Sequence, residues 1–159
     1  GPRHRIHSAL ISRNVAEHLC LNEEEILRLM TDCHRWFTGN GLPSPRLYAP
    51  PAWALGRVSS AALQRQPFEF VEVLAGVLQS RTGRLLRLPL AGFEADTPLR
   101  TAFLRMWNRL NGLLANIFNK PLRVAVHPND MKLAMAADAV RLLENADRCV
   151  SYPELFAHS

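Results

Sequence analysis

The sequence predicts an α/β fold with parallel strands, and three observations carry it. A helical stripe of apolar residues begins after Asn22, a longer one begins at Thr97, and short β-rich runs lie between and beyond them. Strands that alternate with helices are most simply paired in parallel, each helix crossing over the sheet.

The elements follow in order. Residues 1–21 show no clear period and read as loop with one short turn of helix. Asn22 is a capping residue, and Glu23, Glu24 and Glu25 stand in the first turn, where carboxylates favour the positive end of the helix dipole. Ile26, Met30, Cys33 and Phe37 recur at spacings of four, three and four, a buried stripe that Gly39 and Gly41 end. Residues 46–49 are a strand candidate closed by Pro50 and Pro51, because proline brings no ladder donor. Residues 59–66 suit a short helix, and residues 68–74, 77–79 and 85–90 suit strands, with a turn at 81–83.

Thr97-Pro98 is a cap followed by proline at the first helical position. Leu99, Phe103, Met106, Leu110, Leu113 and Ile117 continue from it at spacings of four and three. Fewer than three heptads favour packing of that stripe onto a sheet over a coiled coil. Residues 122–126 read as a strand that runs into His127. A helix is expected from about Met131, with Leu133, Ala137, Val140 and Leu143 on its buried face, and residues 149–152 are expected to form a closing strand.

Composition limits the function classes. With 159 residues, 48% of them hydrophobic, the chain is expected to form a single domain, residues 1–159, with a core of its own. No apolar run approaches the ~20 residues that span a bilayer, so no membrane span is expected. Nineteen basic against fourteen acidic residues give a formal charge of +5. The arginines are scattered rather than clustered, which argues against a nucleic-acid partner. Cys20, Cys33 and Cys149 are odd in number and lack metal-site spacing, which fits a reducing, cytoplasmic setting.

Chemistry in α/β folds gathers at the carboxyl ends of strands. His127 stands there and carries the side chain suited to proton transfer near neutral pH; the alternative is a turn in which Asn129 and Asp130 cap the next helix. Pro50, Pro51 and Trp53 form a second candidate, a stiff loop with a flat apolar face that suits a sugar ring or merely a core tryptophan. His4 and His7 are spaced to share a metal if helical, although a third ligand is needed. His18 and His34 look like surface positions. No GxSxG elbow, phosphate loop or HExxH motif is present.

Taken in order, Arg3-His4, residues 48–53 and residues 122–128 resemble the polysaccharide deacetylases of the nodulation type. The resemblance implies a partial (β/α) barrel that holds a divalent metal, usually zinc, and hydrolyses an N- or O-acetyl group on a carbohydrate. Residues 1–4 match the last four positions of an HGxxH motif, making His4 a metal ligand. Pro50, Pro51 and Trp53 match the motif that walls the substrate groove, and His127 matches the general acid on the leaving amine or alcohol. The family's first motif, with its aspartates, has no counterpart. The chain thus matches the later part of the domain, and the implied partners are an acetylated carbohydrate and either an N-terminal segment or a second copy. The competing expectation is a non-catalytic α/β module that binds a sugar or partner through the Trp53 loop.

Overall fold

A computed structural model describes residues 17–157, which form a mixed α/β structure in two compact units, one through residue 87 and one from residue 88. No closed barrel is present among the described residues.

In the first unit, helix α1 (Glu23–Gly39) starts at a capping box. The Asn22 side chain accepts from the Glu25 N–H at 3.0 Å, and Glu25 Oε2 accepts from the Asn22 N–H at 2.8 Å. The expected stripe faces inward, with Ile26 and Met30 fully buried and Cys33 against them. They pack with Tyr48, Leu55, Leu63, Phe68 and Val71, brought by strand β1 (Leu47–Tyr48), helix α2 (Ser60–Leu63), strand β2 (Phe70–Val73) and the loops between them. Strands β3 (Gly76–Gln79) and β4 (Leu85–Arg87) complete a four-stranded sheet in the order β1-β2-β3-β4. β1 and β2 are parallel, as expected, but β2, β3 and β4 form an antiparallel meander. The loops between β2, β3 and β4 are too short for crossover helices, so consecutive strands can pair only by turning back.

Residues 85–90 were expected as one strand. They divide instead between β4 and strand β5 (Leu90–Gly92), which opens the second unit just after Pro89. Helix α3 (Pro98–Ile117) then crosses to strand β6 (Arg123–Ala125), which pairs in parallel with β5, giving a βαβ unit. The Thr97 side chain caps α3 by accepting from the Arg100 N–H at 3.3 Å.

The face of α3 reverses the expectation. Leu99, Met106, Leu110, Leu113 and Ile117 are exposed, whereas Thr101, Asn111 and Ala115 are buried. The free edge of β5 explains the reversal. Asn108 donates to the Gly92 carbonyl at 2.8 Å and accepts from the Gly92 N–H at 3.1 Å. Asn111 accepts from the Leu90 N–H at 3.3 Å, and the Trp107 indole donates to the Leu90 carbonyl at 2.8 Å. Side-chain amides thus stand where a neighbouring strand would be, and satisfying that backbone fixes the polar side of the helix inward.

Beyond β6, a 3-10 turn (Asp130–Lys132) precedes helix α4 (Ala136–Glu144). Its buried face is Met135 and Ala139, with Leu142 packed beside them, against Ala91, Phe93 and Ala95; Val140 and Leu143 are exposed, contrary to the expected face. The expected closing strand is also replaced, because helix α5 (Tyr152–Ala157) begins within it. Ser151 donates its N–H and its hydroxyl to Glu154 Oε2 at 2.7 and 2.6 Å, a helix-start contact that outweighs the β propensity of the run. No helix among the described residues is long and apolar enough to cross a membrane.

Candidate active site

β6 is short and its pairing with β5 ends at Ala125, so the chain leaves the sheet one residue before His127. The imidazole is half exposed. The turn that follows is held from beneath by Asp130, whose side chain is fully buried. One carboxylate oxygen, Oδ2, accepts from the His127 N–H at 2.8 Å and lies 3.6 Å from His127 Nδ1. The turn closes with the Asp130 N–H donating to the His127 carbonyl at 3.0 Å.

The expected capping of a following helix by Asn129 and Asp130 is therefore not what forms. Asn129 makes no side-chain cap, and the Asp130 carboxylate turns back toward the histidine. An Nδ1 to oxygen separation of 3.6 Å is an electrostatic contact rather than a hydrogen bond. It places Nδ1 beside the carboxylate, and the half-exposed ring is within reach of solvent, as a histidine that passes a proton to an outside group must be. The other Asp130 oxygen, Oδ1, is buried without a hydrogen-bond partner among the described residues. Sequence reasoning missed Asp130 as the residue behind His127; the signal was an acidic residue three positions after a histidine at a strand end.

The Pro50–Trp53 loop belongs to the first unit and His127 to the second, and each is built independently. Pro50 is extended, at φ −66° and ψ 153°, and a 3-10 turn (Pro51–Trp53) follows. Ala52 and Trp53 have φ of 50° and 54°. Two consecutive non-glycine residues in the left-handed region cost of order 1–3 kcal/mol each and persist only where surrounding contacts hold them. The Trp53 indole N–H donates to Glu72 Oε2 at 2.9 Å, and the Trp53 carbonyl accepts from the Leu74 N–H at 3.2 Å. Both partners lie on or just after β2, so the ring is fixed by the end of that strand. Glu72 was not expected from sequence, since nothing in the strand pattern marks which outward carboxylate meets an indole.

His4 and His7 lie outside the described residues. Among the described residues no three His, Cys, Asp or Glu side chains gather as metal ligands. His18 corrects the surface expectation: it is buried, and its Nε2 lies 3.1 Å from the Tyr48 hydroxyl. His34 Nε2 pairs with the Ser44 hydroxyl at 2.9 Å. Cys20, Cys33 and Cys149 are free thiols.

The second unit is thus a βαβ element that presents a histidine backed by a buried carboxylate at a strand's carboxyl end. Comparison of the chain with family models, with curated proteins and with solved structures finds no match.

Proposed function

We propose that the chain is the later part of a hydrolase of the polysaccharide deacetylase type, a partial (β/α) barrel that removes acetyl groups from a polysaccharide or amino sugar. The observation that supports it most is the His127–Asp130 pair at the end of β6. Water adds to the acetyl carbonyl and gives up a proton to the solvent, the bond from carbonyl carbon to the sugar nitrogen or oxygen breaks, and His127 gives its proton to that departing atom. The buried Asp130 keeps the imidazole oriented for the transfer. A divalent metal, zinc in this reading, belongs to the proposal through His4. The described residues offer no ligand set for it, so proton donation by His127 is the step on which the reading rests. The protein would work in the cytoplasm, where free thiols persist.

The test is acetate release from N-acetylated chitooligosaccharides by the full chain, with and without added zinc. The expected result is turnover that falls about 10²–10⁴-fold on His127→Ala, the usual contribution of a positioned acid. A rate unchanged by His127→Ala removes the assigned role, and no acetate release under either condition removes the hydrolase.

The left-handed pair Ala52 and Trp53, with the indole held by Glu72, favours a second reading, a non-catalytic module that binds a sugar on the Trp53 face. Oligosaccharide affinity that survives His127→Ala, is lost on Trp53→Ala and comes with no acetate release would select it.

A further inference from the structure

The second unit contains a cavity of about 450 Å³ between α3 and α4, within the size range of small-molecule sites. Its floor is apolar, with Ala91, Phe93 and Met135 among its lining, and its rim carries Arg105 and Arg109 from α3 and Arg141 from α4. One carboxylate faces these three guanidinium groups. Asp138 accepts from Arg105 Nε at 3.1 Å and from Arg141 Nη2 at 2.8 Å. Each arginine gives one nitrogen to Asp138, and Arg141 Nε also donates to the Ala137 carbonyl at 3.3 Å, so donors remain on both, and the shared aspartate holds them in place.

Arg109 is the residue that internal pairing leaves over. It stands four positions after Arg105, where two like charges on one helix face repel, and it forms no ion pair among the described residues. Gly112 is a second, separate sign. It sits inside α3, where glycine weakens a helix relative to alanine, and it lines the cavity. A Cβ built there would meet nothing within 4 Å, so neighbouring packing does not require the glycine. What the missing side chain leaves is room.

We propose that this cavity binds a small organic molecule with one oxyanion group, a carboxylate or a phosphate monoester, on a compact apolar body. The anion meets Arg109 and the spare donors of Arg105 and Arg141, and the apolar body lies over Phe93 and Met135 beside Gly112. The site shares no residue with the His127–Asp130 pair or the Trp53 loop, so it stands whether or not the chain is a hydrolase.

The experiment is calorimetric titration of the full chain with phenyl phosphate, benzoate and benzyl alcohol. The proposal expects saturable one-to-one binding of phenyl phosphate or benzoate, the tighter of the two naming the class, and no saturation by benzyl alcohol. Arg109→Gln should weaken that binding about tenfold or more, as loss of a charged hydrogen-bond donor does, with partial recovery in Arg109→Lys. Gly112→Leu should block binding while raising the melting temperature, which separates a filled cavity from a damaged fold. Failure of both anions to saturate, equal binding of benzyl alcohol, or affinities unchanged in Arg109→Gln and Gly112→Leu would each overturn it.

Discussion

A single oxygen of Asp130 serves His127 twice: Oδ2 accepts from the histidine's backbone N–H at 2.8 Å and faces its Nδ1 at 3.6 Å. The same buried carboxylate therefore shapes the turn and orients the ring. Structure and chemistry at this position are separable by mutation, because the turn needs the carboxylate but not the imidazole.

Asp130→Ala is expected to lower the unfolding free energy by about 1–2 kcal/mol, the cost of a lost side-chain cap to a backbone N–H. His127→Ala, which removes a half-exposed ring, should stay within about 0.5 kcal/mol of the parent. Urea unfolding of both variants measures the difference. A large loss of stability in His127→Ala would mean that the ring is part of the packing.

Asn108 acts as a one-residue strand toward Gly92, giving one hydrogen bond and taking another. Asn108→Ala leaves both Gly92 backbone groups without those partners and should cost about 1–3 kcal/mol, two net hydrogen bonds at the usual worth. Asn108→Asp keeps the acceptor and loses the donor, so its cost should fall between. Faster amide exchange at Gly92 in Asn108→Ala, measured by NMR, identifies the lost bond directly.

These contacts mark where the sequence was legible and where it was not. α1 could be read closely, since Asn22, Glu25, Ile26 and Met30 all act within one helix and its cap. The start of α3 was equally legible from Thr97 and Pro98, but its orientation was not. Its apolar stripe has regular spacing, yet the decision lay with Asn108, Asn111 and Trp107 meeting the edge of β5, a contact about twenty residues away in sequence. Residues 149–152 differ from the strand pattern for a local reason: Ser151 and Glu154 have the spacing of a capping box, and that contact prevails over the β propensity of Val150 and Tyr152. At the candidate site, His127 was legible from its place after a β-rich run. Asp130 and Glu72 were not, because their partners are set by turn geometry and strand neighbours.

Gly76 opens β3 where the backbone of β4 passes closely. A Cβ at this position would overlap the Leu86 carbonyl oxygen and approach the Arg87 Cα at 2.9 Å. The obstacle is backbone inside a paired ladder, so it cannot rotate aside. Gly76→Ala should therefore separate β3 from β4 and destabilise the first unit well beyond the ~1 kcal/mol typical of a point change. Thermal unfolding by circular dichroism would show it, and a melting temperature equal to the parent's would contradict the close approach.

Tyr48 gives a pH dependence whose sign follows from its burial. Burial pushes its phenol up from the ordinary 10.0 to about 12, and the nearby Cys33 thiol, when ionised, adds to the rise. The hydroxyl also lies 3.1 Å from His18 Nε2 in the same buried pocket of the first unit. A folded-state value above the unfolded one means that the folded protein holds the proton more tightly. The resulting stabilisation is fully present below about pH 10 and is lost as the pH climbs through about 12. Tyr48→Phe removes the titrating group, so its unfolding free energy should change less steeply between those limits than the parent's. At neutral pH the variant should be modestly less stable, since the contact with His18 is gone and the imidazole stays buried. Urea unfolding at a series of alkaline pH values compares the two slopes, and parallel slopes would show that Tyr48 ionises in the folded state as readily as in the unfolded chain.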